Sequence, residues 1–192
     1  PERVRRIVVA GLVVALAAAF APIVVPLTIV VAACLALGTL LALASWRVAA
    51  WFAICGIGAA FVGVLLNVPW VATWSWAELA GAPPLGDPGR GLLALASFEI
   101  GPTDLAVLAV GLFVPVVVAI ALAKAWRLTW AVRAAVLVIV FGALAVLGDR
   151  GTLPFDVPEA GVLLVPVAFG VSVSAGALFA GFELDVRDAG FG

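Results

Sequence analysis

From Ile7 to Ser45 the chain carries no charged residue. As one helix, that stretch of about 39 residues would be about 60 Å long, twice the roughly 30 Å of a bilayer's hydrocarbon core. It must fold back, and Pro22 and Pro26 mark the place, because proline lacks an N–H and disfavours helical geometry in the residue before it. The pattern therefore predicts a helical hairpin with spans over about 6–21 and 26–45. A third span, about 48–66, follows the tight connection Trp46-Arg47 and so runs antiparallel to the second. Later apolar runs predict span four over about 105–125, kinked at Pro115, span five over about 130–147 with Arg133 snorkelling back to the interface, and span six over about 161–182. The expected fold is all-α: a polytopic transmembrane helix bundle of six spans forming a single membrane domain.

Between spans three and four the apolar pattern gives way to a connection, 67–104, that divides the chain. It holds Glu78, Asp87, Glu99 and Asp104 against the single base Arg90, the tryptophans Trp70, Trp74 and Trp76, and a Gly/Pro-rich run from Gly81 to Gly89. Within it, Leu92–Phe98 is apolar but far too short to cross a bilayer, and charges bound it at Arg90 and Glu99. This predicts an interfacial helix or re-entrant element. Leu93 and Leu95 on that element, with Trp70, Trp74 and Trp76 beside it, form a candidate surface facing a lipid-linked acceptor.

Small residues recur at four-residue spacing in two spans, as Gly56/Ala60 and Ala59/Gly63 in span three and as Ser172, Gly176 and Ala180 in span six. Such faces let a neighbouring backbone approach closely. The Gly56-x-Gly58 pair is no dinucleotide loop, since no strand precedes it and no acid follows at the ribose position.

Positive charge sets the expected orientation. With the N-terminus inside, Arg3, Arg5, Arg6, Arg47, Lys124, Arg127, Arg133 and Arg187 fall on the inner side, and only Arg90 and Arg150 on the outer. Trp46, Trp51, Trp126 and Trp130 then lie near inner ends and Trp70, Trp74 and Trp76 near an outer one, as an aromatic belt requires. A multi-pass protein of the plasma membrane is expected, with the lipid bilayer as its first partner.

Composition agrees. Hydrophobic residues make up 66% and charged residues 11%, and the mean hydropathy is +1.33; a soluble domain is about half apolar and about a quarter charged. A net charge of −1 gives no basic stripe to displace counterions, so nucleic acid is not an expected partner. Cys34 and Cys55 lie inside apolar runs and read as packing residues; with no histidine in the chain, neither a metal site nor any other cofactor is expected. The absence of methionine and the polar run 182–192 suggest a piece of a longer protein.

Catalytic chemistry is sparse. No Asp, Glu or His lies inside the six expected spans, which weakens ion-coupled transport, because intramembrane ionisable groups usually mark such pathways. Glu78, Asp87, Glu99, Asp104, Asp149, Asp156 and Glu159 all map outside, as acids do when the inner loops are basic. The first outer turn, Ala21–Pro26, holds no acid.

The runs Ala125–Ala134, Phe141–Pro154 and Pro158–Ala168 resemble the polytopic membrane region of large actinobacterial family-2 glycosyltransferases. That resemblance, mainly over residues 125–192, implies a cytoplasmic nucleotide-sugar domain outside this sequence. The D-x-D metal motif of that domain has no counterpart here, since Asp185-Val-Arg-Asp188 has the wrong spacing. The function it implies is the membrane domain of a larger enzyme of cell-envelope polysaccharide synthesis, anchoring the catalytic domain and guiding a lipid-linked sugar or glycan. The alternatives are a permease-like transport subunit and a membrane scaffold without chemistry.

Overall fold

The structure, a computed structural model, describes residues 2–75, 95–96, 98, 111–154 and 156–188. Among these there is no strand. The helices are α1 (Glu2–Phe20), α2 (Val24–Leu41), α3 (Trp46–Leu66), the single turn α4 (Val68–Val71), α5 (Val114–Leu122), α6 (Trp126–Asp149) and α7 (Ala160–Asp188). Four of them, Val24–Leu41, Trp46–Leu66, Trp126–Asp149 and the Ala160–Glu183 part of α7, are long and apolar enough to cross a membrane. Helix α1 carries Glu2, Arg3, Arg5 and Arg6 in its first two turns. Helix α5 has 9 residues, about 14 Å of rise, and is too short to cross alone.

Each break has a local cause. Pro22 sits in the turn between α1 and α2, whereas Pro26 is the third residue of α2, where a missing N–H leaves no intrahelical bond unmade. Pro115 likewise occupies the second position of α5, so it opens a helix after the Leu112-Phe113 turn. The expected kinked helix over 105–125 is thus corrected in its described part; residues 105–110 lie outside the described residues. Pro166 does fall inside a helix, as membrane helices tolerate.

Two connections close with the same hydrogen-bond pattern. After α6, the Gly151 N–H donates to the Gly148 carbonyl at 2.9 Å and the Thr152 N–H to the Leu147 carbonyl at 3.1 Å. After α2, the Leu43 N–H donates to the Leu40 carbonyl at 2.9 Å and the Ala44 N–H to the Thr39 carbonyl at 3.1 Å. Both are Schellman caps, which place one residue in left-handed backbone. Gly151 takes φ 62° freely, but Leu43 takes φ 53° against the steric penalty of its Cβ.

Helices α1 and α3 run parallel, as successive contacts show. The Arg3 guanidinium lies over Trp51, Ile7 fills the space at Gly58, Val62 the space at Gly11, and Val14 the space at Gly63. Helix α2 lies antiparallel to α3 and α6, with Ala32 against Gly56 and the Arg133 backbone against Gly38; α7 lies antiparallel to α6, with Arg127 against Gly181 and the Ala134 carbonyl against Gly170. Two apolar clusters result. Val14, Ala18, Val25, Ala59 and Ala60 join α1, α2 and α3; Cys34, Leu137, Phe141, Leu163 and Val167 join α2, α6 and α7. Outside them, Phe20, Phe61, Val117, Ile139, Val165 and Phe179 are exposed, the apolar outer surface that lipid requires.

The small face expected on span three is buried at Gly56, Ala59, Ala60 and Gly63. That of span six is not: Ser172 and Gly176 are exposed, and nothing stands within 4 Å of a Cβ added at Gly176. The buried face of α7 is instead Gly170, Ser174, Ala177 and Gly181. Span six carries small residues on two faces, and α6 takes the one that also offers Gly170 to its backbone. The Ser172 hydroxyl is meanwhile satisfied in its own helix by the Ala168 carbonyl at 2.8 Å.

Two outcomes follow. A Cβ at Gly63 would stand 2.8 Å from Val14 Cγ1, so Gly63→Leu should lower stability in detergent by about 1–3 kcal/mol or more, while Gly176→Leu leaves it nearly unchanged; thermal melts of the two variants check this. Leu43→Gly should raise stability by about 1 kcal/mol, because the left-handed position then carries no Cβ; a melting temperature at or below that of the parent would refute the strain at Leu43.

Candidate functional site

The antiparallel order gathers opposite chemistry at the two ends of the bundle. One end holds the start of α1, α3 and α6 and the ends of α2 and α7, and with them Arg3, Arg5, Arg6, Arg47, Lys124, Arg127 and Arg133 against Glu2 and Glu183. The other holds Asp149, Arg150, Asp156 and Glu159.

At the acidic end, a cavity of about 120 Å³ opens between α2, α6 and the connection before α7. Leu27 and Val30 form its α2 wall, Phe141 and Leu144 its α6 wall, and Val157 and Pro158 its third side, with Leu163 lining it from α7. Phe141 and Leu163 are themselves almost wholly buried, so the cavity rests on the α2·α6·α7 cluster. Among the described residues, Asp156 is the one ionisable group in its lining. An apolar hollow of this size has room for a small hydrocarbon group, and Asp156 stands in its lining without presenting polar surface to it.

Of the expected acceptor-facing residues, the described ones, Trp70, Trp74 and Leu95, are not brought together. Trp70 is exposed on α4, and Trp74 packs on the α1·α2·α3 cluster. Leu95 is 3% exposed and belongs to the other cluster, with Phe141 and Leu163; Trp76 and Leu93 lie outside the described residues. Leu95 is therefore a core residue, which corrects its expected surface role. A short apolar run bounded by charges suits a plug between helices as well as an interfacial helix, and here α2, α6 and α7 leave a gap that Leu95 fills. Phe98 is partly buried against the same cluster and stacks on Phe113, with centroids 6.0 Å apart. Of the acids expected outside, Glu78, Asp87, Glu99 and Asp104 also lie outside the described residues.

Asn67 ties the start of the long connection to two helices. Its own N–H turns to the Val64 carbonyl, so Gly63 loses the partner that a continuing helix would give it. The Asn67 Nδ2 supplies the bond instead, donating to Gly63 O at 2.9 Å and to Ala15 O at 3.1 Å. A side-chain amide thus caps α3 and grips α1, at a position 6% exposed.

At the basic end, Arg133 departs from the expected snorkelling geometry. It is 6% exposed, because Gly38 lets α6 come so close to α2 that a Cβ there would stand 2.6 Å from the Arg133 Cα. The side chain then turns between helices. Its Nε donates to Thr39 Oγ1 at 2.8 Å, the Thr39 hydroxyl donates onward to Leu35 O at 2.7 Å, and the guanidinium lies 4.7 Å from the Phe52 ring centroid and 4.8 Å from that of Trp130. Each cation–π contact contributes about 0.5–2 kcal/mol, less than the several kcal/mol that an unpaired buried ion costs. Sequence reasoning missed this site. The local signal was Trp130-x-x-Arg133, one helical turn apart, but Gly38, Thr39 and Phe52 come from distant segments.

Among the described residues no group of three His, Cys, Asp or Glu side chains gathers as metal ligands would. No family model, no curated protein and no solved structure matches the chain. What the described residues offer is a place for hydrocarbon at one end and a buried cation at the other.

Proposed function

We propose that this chain is the membrane domain of a larger glycosyltransferase of cell-envelope polysaccharide synthesis, a six-span, multi-pass domain of the plasma membrane that guides a lipid-linked acceptor or glycan. The observation that carries the reading is the apolar cavity at the acidic end, with Asp156 in its lining. Hydrocarbon of a lipid carrier enters between Leu27, Val30 and Phe141, and its polar head stays at the level of Asp156. The charge distribution favours an inner position for the basic end. The first residues of α1 and the last turns of α7 lie at that same end, so a catalytic domain joined at either side of this region meets the cytoplasmic pool of sugar nucleotide.

The test uses the full-length protein. Val30→Trp and Leu27→Trp fill the cavity from the α2 wall, and glycan formed per unit of membrane-inserted protein should fall at least about fivefold, as when a site rejects a substrate by bulk. Unchanged output at unchanged abundance would remove the acceptor role. For orientation, a cysteine at Thr152 in a background lacking Cys34 and Cys55 should react with an impermeant maleimide on intact cells, and one at Thr129 should not; the reverse pattern would invert the topology.

A further inference from the structure

We propose that Arg133 anchors a phosphate-binding site at the basic end, taking the phosphate of an anionic lipid headgroup or of a free phosphate ester. The guanidinium has five N–H donors. The Nε–H is used by Thr39, and the guanidinium carbon lies over the rings of Phe52 and Trp130. That leaves the edge formed by Nη1 and Nη2. Among the described residues no carboxylate lies within ion-pair distance of it, and no side-chain nitrogen or oxygen is both fully buried and unpartnered. The Nη edge therefore opens at the margin of the bundle and is not sealed within it.

The surroundings select an anion. Lys124 and Arg127 flank the start of α6, and Arg3, Arg5, Arg6 and Arg47 stand at the same end. Of the described acids at this end, Glu2 is taken up by Arg6 at 2.7 Å and Glu183 is exposed on the last turns of α7, so the bases outnumber the acids. A cation held this far from water by two rings gains most from a partner with full negative charge. Two parallel N–H groups in one plane match two oxygens of a phosphate, a fit that a point charge does not have. Basic recesses between membrane helices suit phosphate headgroups for this reason. The bond to Thr39 and the contacts with the two rings hold the guanidinium before the ligand arrives, so little rotamer freedom is lost on binding. This site stands apart from the acidic-end cavity and does not depend on the glycosyltransferase reading.

The experiment measures thermal stability of the purified full chain in detergent at fixed ionic strength, with dioleoylphosphatidic acid, with dioleoylglycerol, which lacks the phosphate, or with glycerol phosphate. The parent should gain about 3 °C or more from a phosphate-bearing probe over its phosphate-free counterpart. Arg133→Met should abolish that gain, while Arg5→Gln keeps it. A gain from phosphatidic acid alone assigns a lipid headgroup; an equal gain from glycerol phosphate assigns a free ester. If Arg133→Met does not accumulate, Arg133→Lys is titrated instead, and loss of the fork should weaken apparent affinity roughly tenfold. Equal gains in the parent and in Arg133→Met, no gain from either phosphate probe, or an affinity in Arg133→Lys within about twofold of the parent would overturn the proposal.

Discussion

Close approach of helix backbones at glycine is the constraint on which this structure depends. In lipid there is little hydrophobic gain from bringing two apolar helices together, so association rests on packing and on hydrogen bonds. Four seams of the bundle each have a position where a missing Cβ admits a neighbour: Gly58 and Gly63 between α1 and α3, Gly56 between α2 and α3, Gly38 between α2 and α6, Gly170 between α6 and α7. The substituents received are branched or backbone atoms, such as Val14, Ile7 and the Ala134 carbonyl. These are stiff groups that cannot swing aside, so the glycines set interhelical distance rather than merely tolerating it.

Polar groups follow from the same closeness. Thr28, Thr39, Ser172 and Ser174 each bond a carbonyl one turn back, which satisfies a hydroxyl without a partner helix. Arg133 and Asn67 reach across instead, and both stand beside a glycine contact, Gly38 for Arg133 and Gly63 for Asn67. Without the short interhelical distance neither side chain would meet its partner, and a buried amide or guanidinium left unpaired would be strongly unfavourable.

Much of the fold was legible before any coordinate. Uninterrupted apolar length against bilayer thickness gave the hairpin, and the charges bracketed α6 and α7, because both are local properties of a sequence. Boundaries were less legible: α6 begins at Trp126 rather than 130 and α1 at Glu2 rather than 6, since a charged residue ends a hydrophobic run without ending a helix. The choice between the Ser172/Gly176 face and the Gly170/Ser174 face could not be made from one helix alone, for both have the required spacing and the neighbour decides. Arg133 was read by its own helix, where snorkelling is the ordinary outcome; Thr39 and Phe52 lie 94 and 81 positions earlier in the sequence, and nothing in the 130–136 stretch encodes them. Leu95 misled for a related reason. Charges at its flanks argue for the surface, and only the gap among three other helices argues for the core.

The seam between α2 and α6 joins the two ends in register. On α2, Val30 lines the cavity and Gly38 meets Arg133; on α6, Arg133 begins the same interval and Phe141 closes it. Both intervals are about 12 Å at 1.5 Å per residue, so the antiparallel helices stay matched across them. A change in α2·α6 spacing at Gly38 would therefore alter the wall of the cavity as well, because Leu137 and Cys34, which lie between, are buried in one cluster with Phe141 and close-packed interiors transmit displacement rather than absorb it. The polar chemistry of one end and the apolar hollow of the other thus share a single rigid element, and the glycine at position 38 is what keeps the two helices at the distance both require.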